Sequence, residues 1–336
     1  MNSVVKYIIL RLCTYLVTLF IAVSLVWWLF HLLPGNPMVL FLRQISMKFG
    51  VQSTQYSEVI AAYESAFGFD KPLLEQYITF WKELFRGNMG PSLLGFPTPV
   101  VELLRRRIPW TIGLLTLSTL IAWVLGILIG ALVGWKRGTR FDKIVSVLSI
   151  GISQIPYYIV SVLAVLIVGY YLGWLPVSGA FTPGLTINWL NVAFVADVLR
   201  HGILPAFSIV LASTFGWVMS QRSLLITILG EDYLTFAEAK GLKKRRIFTT
   251  YAMRNSLLPQ VTALGISIGF VMSGSIMVEG AFMYPGVGRL FTEAYNILDY
   301  NTIMGFFVLS IFTVLTANLL VGLSLPLIDP RVRVGS

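Results

Sequence analysis

The sequence predicts an all-α membrane protein, a polytopic helix bundle whose chain crosses the bilayer about six times. Of its 336 residues 56% are hydrophobic and 12% are charged, and the mean hydropathy is +0.79. A soluble domain carries about 25% charged residues, so the composition excludes an ordinary soluble domain. The net charge of +10 does not indicate a nucleic-acid partner, because the charges fall in blocks between long apolar segments.

The predicted spans are the windows that lack charged residues. About 20 apolar residues cross the hydrocarbon core as a helix, and six windows reach or approach this length. They are residues 10–32, 110–135, 144–172, 202–221, 259–279 and 303–327. The first is too long for the apolar part of a signal peptide, so we expect a retained helix. Residues 187–199 form a short run that ends near charged residues, which predicts an interfacial helix.

The placement of Lys and Arg predicts the orientation of the chain. With both termini cytoplasmic, the inner segments hold most of the 25 Lys and Arg but a minority of the 15 Asp and Glu, as the positive-inside bias requires. Arg105–Arg107 falls on the outer side, at the end of a loop long enough to obey that bias poorly. The predicted organisation is a first transmembrane helix (1–33), an external loop with amphipathic helices (34–107), a five-helix core (108–328) that includes a cytoplasmic loop (221–258), and a cytoplasmic tail (329–336).

Two patterns predict how helices and loops pack. Glycines at four-residue spacing lie on one helix face and allow close approach of a second backbone; they are Gly126, Gly130, Gly134, Gly265 and Gly269. The external segment mixes aromatic and charged residues around Tyr77, Phe80 and Trp81. This mixture predicts an amphipathic helix that lies on the membrane or against a partner, with a solvated, partly helical loop as the alternative.

The sequence lacks the usual catalytic and metal-binding patterns. It contains no GxxxxGK[ST], HExxH or GxSxG motif. Its single cysteine, Cys13, lies in the first apolar run, and its two histidines, His31 and His201, lie at predicted helix ends. No pair of acids within a predicted span suggests a proton relay. We therefore expect a chain that is not an enzyme, has no metal or cofactor of its own, and takes any energy for uphill transport from another chain.

The most informative segment is the predicted cytoplasmic loop 221–258. Glu231 and Asp232 suit a helix start, where acids meet the positive end of the helix dipole. Small residues follow, and then a cationic run, Lys243–Arg246. A short exposed helix with little bulk on one side is suited to pressing into a groove on a soluble partner.

This loop resembles the coupling loop of ABC importer permeases of the dipeptide/oligopeptide family. The family pattern has an Asp-Tyr start, then Ala-x-Ala-Lys-Gly-Leu, then Arg-Asn-x-Leu-x-Pro. The matching residues are Asp232, Tyr233, Ala237, Ala239, Lys240, Gly241, Leu242, Arg254, Asn255 and Pro259. The general importer motif has Glu six residues before its glycine, where this chain has Thr235, so the role of that glutamate is not assigned to Glu238.

Further motifs extend the resemblance over most of the chain. They are Leu33–Pro37, with Asn36 in place of the usual acid, Asp70–Pro72, Gly87–Gly90, Val278–Phe282, Tyr284–Leu290 and Asp329–Arg333. The resemblance implies a type I ABC importer permease fold in the cytoplasmic membrane. It also implies a second homologous permease subunit, two ATP-binding subunits that bind ATP and Mg, an extracytoplasmic solute-binding protein and membrane lipids as partners.

The resemblance also assigns roles to residues. The 231–246 helix would dock on an ATPase subunit. Glu279, with Pro285, Gly286 and Gly288, would line the translocation path or its gate, and a surface acid is the alternative for Glu279. Peptides are the expected cargo, with oligosaccharides or nickel complexes as alternatives; the alternative class is a secondary transporter, which would need buried acids or paired broken helices.

Overall fold

A computed structural model describes residues 3–32, 71–273 and 276–328 of the chain. These residues are all-α, as predicted. The helices are α1 (Ser3–Leu32), α2 (Leu73–Phe85), α3 (Val100–Trp135), α4 (Arg140–Ser153), α5 (Tyr157–Ala164), α6 (Val192–Ile228), α7 (Asp232–Ala239), α8 (Lys244–Arg246), α9 (Arg254–Gly269), α10 (Ile276–Ala281), α11 (Val287–Asn296) and α12 (Tyr300–Ile328). Two π-helical stretches, Val165–Tyr171 and Ile247–Met253, extend α5 and join α8 to α9.

Four single helices of the described part are long and apolar enough to cross a membrane, namely Val5–Leu32, Val100–Trp135, Val192–Ile228 and Tyr300–Leu323. A fifth candidate is the pair Arg140–Ser153 and Tyr157–Tyr171, which is bent by 85°. The single third span predicted at 144–172 is therefore broken. Pro156, which precedes α5, explains the break, because proline lacks the N–H for a helix interior and disfavours a helical residue before it.

Two other predicted boundaries differ from the structure. Residues 187–199 do not form a separate interfacial helix, because α6 begins at Val192 and continues to Ile228. Asn191 caps that start by accepting a hydrogen bond from the backbone N–H of Ala193 at 2.9 Å. The window 259–279 is divided, since α9 ends at Gly269, a 3₁₀ turn follows, and α10 begins at Ile276.

The helices contribute to two compact units. The first is built from α1, α2, the part of α3 up to Thr111, α11, and α12 up to Thr316. The second contains the rest of α3, the helices α4 to α9, α10 from Met277 and α12 from Ala317. The predicted turn at Leu33–Pro37 and the predicted tail at 329–336 lie outside the described residues.

In the first unit, α2 packs on α1 through the apolar face that the sequence showed. Tyr77, Phe80, Trp81 and Leu84 recur at helical spacing and contact the buried cluster of Val23, Trp27, Met304 and Val308. The rings of Trp81 and Phe20 stack at 5.0 Å between centroids. The face expected on the membrane surface or a partner is therefore used within this chain.

In the second unit, α3 packs against α6 through its glycines. A Cβ added at Gly126 would lie 2.3 Å from Cβ of Trp217, and one at Gly130 would lie 2.5 Å from the carbonyl oxygen of Val218. A Cβ added at Gly134 would lie 3.1 Å from the carbonyl oxygen of Arg222. These distances leave no room for a side chain, so the two backbones approach as closely as glycine permits.

Candidate functional site

The helix α7 ends in a Schellman motif formed by the sequence Ala237–Leu242. The N–H of Gly241 donates to the carbonyl oxygen of Glu238 at 2.8 Å, and the N–H of Leu242 donates to that of Ala237 at 3.3 Å. This geometry needs a left-handed residue, and Gly241 has φ of +75°, which costs glycine little. Leu242 packs on the apolar cluster beneath the helix, as the residue after the glycine often does in this motif.

The inward face of α7 is fixed by Leu234 and Ala237. Both are buried, and they contact Ala131 of α3 and Leu225 of α6. We call this set, completed by Ile247 and Ala252, the α7 seat. Burying a Leu side chain contributes about 1.5–3 kcal/mol, so the seat holds α7 on the ends of two long helices. Ala237 therefore faces the core and does not belong to the exposed small-residue face that the sequence predicted.

The outward face of α7 combines small residues with aromatic ones. Ala239, Lys240 and Gly241 are exposed, and a Cβ added at Gly241 would meet nothing within 4 Å. The side chains of Phe236 and Tyr233 are 67% and 36% exposed. An aromatic ring beside residues of little bulk is suited to a partner's pocket. Sequence analysis missed Phe236, because the inward positions Leu234 and Ala237 that define the face of this short helix are known only from the structure.

The two sequence segments that resemble the coupling loop, residues 232–242 and 254–259, meet in space. Nδ2 of Asn255 donates to the hydroxyl of Tyr233 at 2.8 Å, although the residues are 22 positions apart. Arg254 beside it is exposed and begins α9. Pro259 lies inside α9, after the π-helical stretch, where its missing N–H leaves a carbonyl without its helical partner. Asp232 is exposed in the first turn of α7, and the exposed cationic run forms α8 with Lys243 at its start. The single helix predicted over 231–246 is therefore divided, because Gly241 with φ of +75° ends α7.

The remaining packing glycines lie in the second unit. A Cβ at Gly265 would lie 2.6 Å from Cγ2 of Val321, the tip of a side chain that can move. Gly269 is buried and forms the last residue of α9. The side-chain contact at Gly265 is less restrictive than the backbone approaches at Gly126 and Gly130.

The residues predicted to line a path or gate fall in different units. Glu279 belongs to the second unit and is completely buried in α10, which a surface acid would not be. Pro285, Gly286 and Gly288 belong to the first unit, where Gly286 precedes α11 and Gly288 is buried in it. The start of α11 is held by the N–H of Val287, which donates to Oγ1 of Thr111 at 2.8 Å.

A buried carboxylate that the sequence analysis did not single out organises the predicted external side. Asp299 accepts hydrogen bonds at Oδ2 from the hydroxyl of Ser92, from the N–H of Leu93 at 2.9 Å and from Oγ1 of Thr302 at 2.7 Å. These bonds attach the loop that follows α2 to the start of α12. Of the outer arginine cluster, Arg107 pairs with Glu293 of α11 at 3.0 Å.

The motif Gly87–Gly90 closes α2. Side chains of Asn88 and Arg86 donate to Glu83, each at 2.8 Å, and these hydrogen bonds lower the pKa of the Glu83 carboxyl. Gly87 and Gly90 both have positive φ, +75° and +80°. The motif is thus a helix end that directs the chain toward the Asp299 network.

Metal-ligating side chains do not gather within the ranges that the structure describes. No group of three or more His, Cys, Asp or Glu residues occurs there that could hold an ion. The feature that the structure does show here is an exposed short helix, α7, on a buried apolar seat.

Two family matches cover most of the chain. Residues 126–334 match the family described as binding-protein-dependent transport system inner membrane component, and residues 4–115 match its N-terminal counterpart. The oligopeptide transport system permease protein AppB of Bacillus subtilis is 31% identical over 301 residues, 89% of this chain and 90% of that protein. The dipeptide transport system permease protein DppB of Escherichia coli K12 is 28% identical over 341 residues, 97% and 98% of the two chains.

Proposed function

Because this chain belongs to the family of binding-protein-dependent transport system inner membrane components, we propose that it is one of two permease subunits of an ATP-driven importer. Its spans form part of the path through the bilayer, and a second homologous subunit supplies the rest. Separate subunits bind and hydrolyse ATP, and an extracytoplasmic protein delivers the solute. The apolar helices that this chain offers to a membrane support that role.

The proposed cargo is a peptide. Relatives that share about 30% identity with the whole chain are named as oligopeptide or dipeptide permeases. The oligopeptide permease OppB of Haemophilus influenzae is 30% identical over 328 residues, 98% of this chain and 99% of that protein. These names support peptides over oligosaccharides or nickel complexes.

The observation that carries the proposal is the exposed α7 on its buried seat. Phe236, Ala239 and Gly241 present an aromatic side chain and two positions of little bulk to a cytoplasmic partner. Leu234 and Ala237 pass any displacement of α7 to α3 and α6, since close-packed apolar contacts have low compressibility. ATP-driven closure of the partner subunits thus moves the bundle between outward-open and inward-open states.

On the predicted external side of the membrane, the loop after α2 is the proposed contact for the binding protein. Asp299 anchors this loop and so gives that partner a fixed surface. Its carboxylate accepts one hydrogen bond from the side chain of Ser92 and one from the backbone N–H of Leu93. Residues Gly95 and Phe96 at the tip are exposed. A fixed surface loses little conformational entropy on binding.

Affinity purification of the tagged chain from its native membrane tests the proposal. We expect two nucleotide-binding chains to co-purify, and Ala239→Arg or Gly241→Trp to remove them together with ATP-driven peptide uptake. The added bulk would fill the surface on which the partner sits. Thr250→Arg, at an exposed position of the same loop outside α7, is the matched control and should retain both.

The proposal is wrong if the unmodified chain brings down no nucleotide-binding protein. The α7 assignment alone is wrong if both bulky variants keep full assembly and uptake.

A further inference from the structure

Asp142 in the first turn of α4 is a buried charged residue. Its side chain is 6% exposed, and it pairs with Arg222 of α6 in a bidentate geometry. Nε of Arg222 donates to Oδ1 at 2.6 Å, and Nη2 donates to Oδ2 at 3.2 Å. Two parallel hydrogen bonds of this kind fix the orientation of the guanidinium relative to the carboxylate as well as the distance between them.

The same carboxylate holds the connection between α3 and α4. Its Oδ2 accepts the N–H of Gly138 at 2.8 Å, and its Oδ1 accepts the hydroxyl of Ser146 at 3.1 Å. Thr139 caps α4 by accepting the N–H of Asp142 at 3.3 Å. One side chain therefore joins α6, the connecting loop and α4.

Arg222 lies next to the α7 seat. Leu225, one turn further along α6, is completely buried in that seat against Leu234 and Ala237 of α7. The carbonyl oxygen of Arg222 is 3.1 Å from the Cβ position of Gly134, so the backbones of α6 and α3 are in close contact at this level. A displacement of α7 consequently reaches Arg222 through a continuous series of packed groups.

We propose that the Asp142–Arg222 ion pair is the positioning link that carries displacement of α7 to α4 and the broken pair α4–α5. The inference rests on the proposed function, because it assigns α7 as the element that moves. A buried ion pair adds little net stability over apolar residues of similar volume. Its two-point geometry instead ties the orientation of α4 to that of α6.

The test follows ATP-dependent movement at two reporter positions. Cys13 is the single cysteine of the chain, so Cys13→Ser gives a background for Thr235→Cys on α7 or Lys143→Cys on α4, both exposed positions. Native membranes that contain all partner chains are labelled with a maleimide, with and without Mg-ATP and vanadate. With Arg222 present, we expect the labelling rate to change at both reporters.

In Arg222→Gln the change at 235 should persist, and the change at 143 should fall at least fivefold. Arg222→Lys keeps the charge but not the bidentate geometry, so it should restore part of the change at 143. Arg107→Gln is the matched control, since it removes another inter-helix arginine–carboxylate pair, 3.0 Å from Glu293; it should leave both reporters unaffected. If Arg222→Gln fails to accumulate in the membrane, Asp142→Asn gives the same test.

A full change at 143 in Arg222→Gln or Asp142→Asn would overturn the link. An equal loss in Arg107→Gln would also overturn it, because the effect would then be general. If neither reporter responds to ATP in the background that keeps Arg222, the proposed function itself fails and the link fails with it.

Discussion

At the residue scale, Gly241 shows why a motif residue is constrained. Its φ of +75° closes the Schellman motif, while a Cβ there would meet no atom within 4 Å. The constraint within this chain is therefore backbone conformation and not space. Only the proposed partner would restrict the size of the side chain.

Gly241→Ala should consequently loosen the end of α7 without a steric clash. A left-handed conformation costs an L-residue about 1–2 kcal/mol, so the amides of Gly241 and Leu242 should exchange hydrogen at least about fivefold faster. Hydrogen–deuterium exchange with mass spectrometry on the purified subunit measures this. Gly241→Asn should show a smaller effect, because Asn tolerates this conformation; equal exchange in wild type and Gly241→Ala would contradict the explanation.

The sequence predicted the site at this scale only in part. The order of small and acidic residues located α7, but it could not tell that Ala237 points inward and Phe236 outward, because a helix of eight residues has too few positions to define a face. The sequence did contain a signal for Asp142. An acid three residues after a threonine, here Thr139, is typical of a helix start. Its partner Arg222 is distant in sequence, and only the tertiary structure pairs them.

At the element scale, the packing of α3 on α6 depends on glycines that differ in their surroundings. Gly130 faces backbone atoms of Val218 at 2.5 Å, while Gly113 on the same helix has nothing within 4 Å. Backbone atoms cannot move aside as a side-chain tip can. The same substitution should therefore have opposite effects at the two positions.

Gly130→Ala should destabilise the chain by about 1–3 kcal/mol, the usual range for overpacking. Gly113→Ala should be neutral or stabilise it by up to about 1 kcal/mol, because alanine is the better helix former. The melting temperatures of the detergent-solubilised variants provide the comparison. Equal losses at both positions would show that the close approach at Gly130 is not limiting.

Charge-free windows predicted where long helices lie but not where they break. The windows at 10–32, 110–135 and 303–327 lie within α1, α3 and α12. The windows at 144–172 and 259–279 are divided in the structure. Hydropathy did not predict these breaks, because it measures the cost of transfer to lipid and is insensitive to a proline or to a change of helix type. The apolar window at 202–221 also did not predict that α6 begins at Val192. That start is set by the cap at Asn191, which is a local hydrogen bond that hydropathy does not measure.

At the scale of the whole molecule, the orientation of the chain remains a prediction from its cations. The positive-inside bias places both termini and the loop 221–258 in the cytoplasm. It places the loop that Asp299 anchors outside. Labelling of exposed positions in cells tests this orientation.

In the Cys13→Ser background, Gly95→Cys should react in intact cells with a maleimide that does not cross membranes. Thr250→Cys should react only after the membrane is permeabilised. Both positions are exposed, so access to the reagent decides the result. The reverse pattern would invert the orientation and move α7 away from any cytoplasmic ATPase.

The α7 seat consists of Ala131, Leu225, Leu234, Ala237, Ile247 and Ala252, all of them apolar. Dissolved ions screen exposed charges over about 10 Å at 0.1 M ionic strength, but an apolar contact offers them no charge to screen. A rise in salt concentration weakens contacts that depend on exposed cations, such as those of α8. The attachment of α7 to its own bundle does not depend on exposed charge, so in the proposed importer a rise in ionic strength would weaken it less than it weakens contacts made by α8.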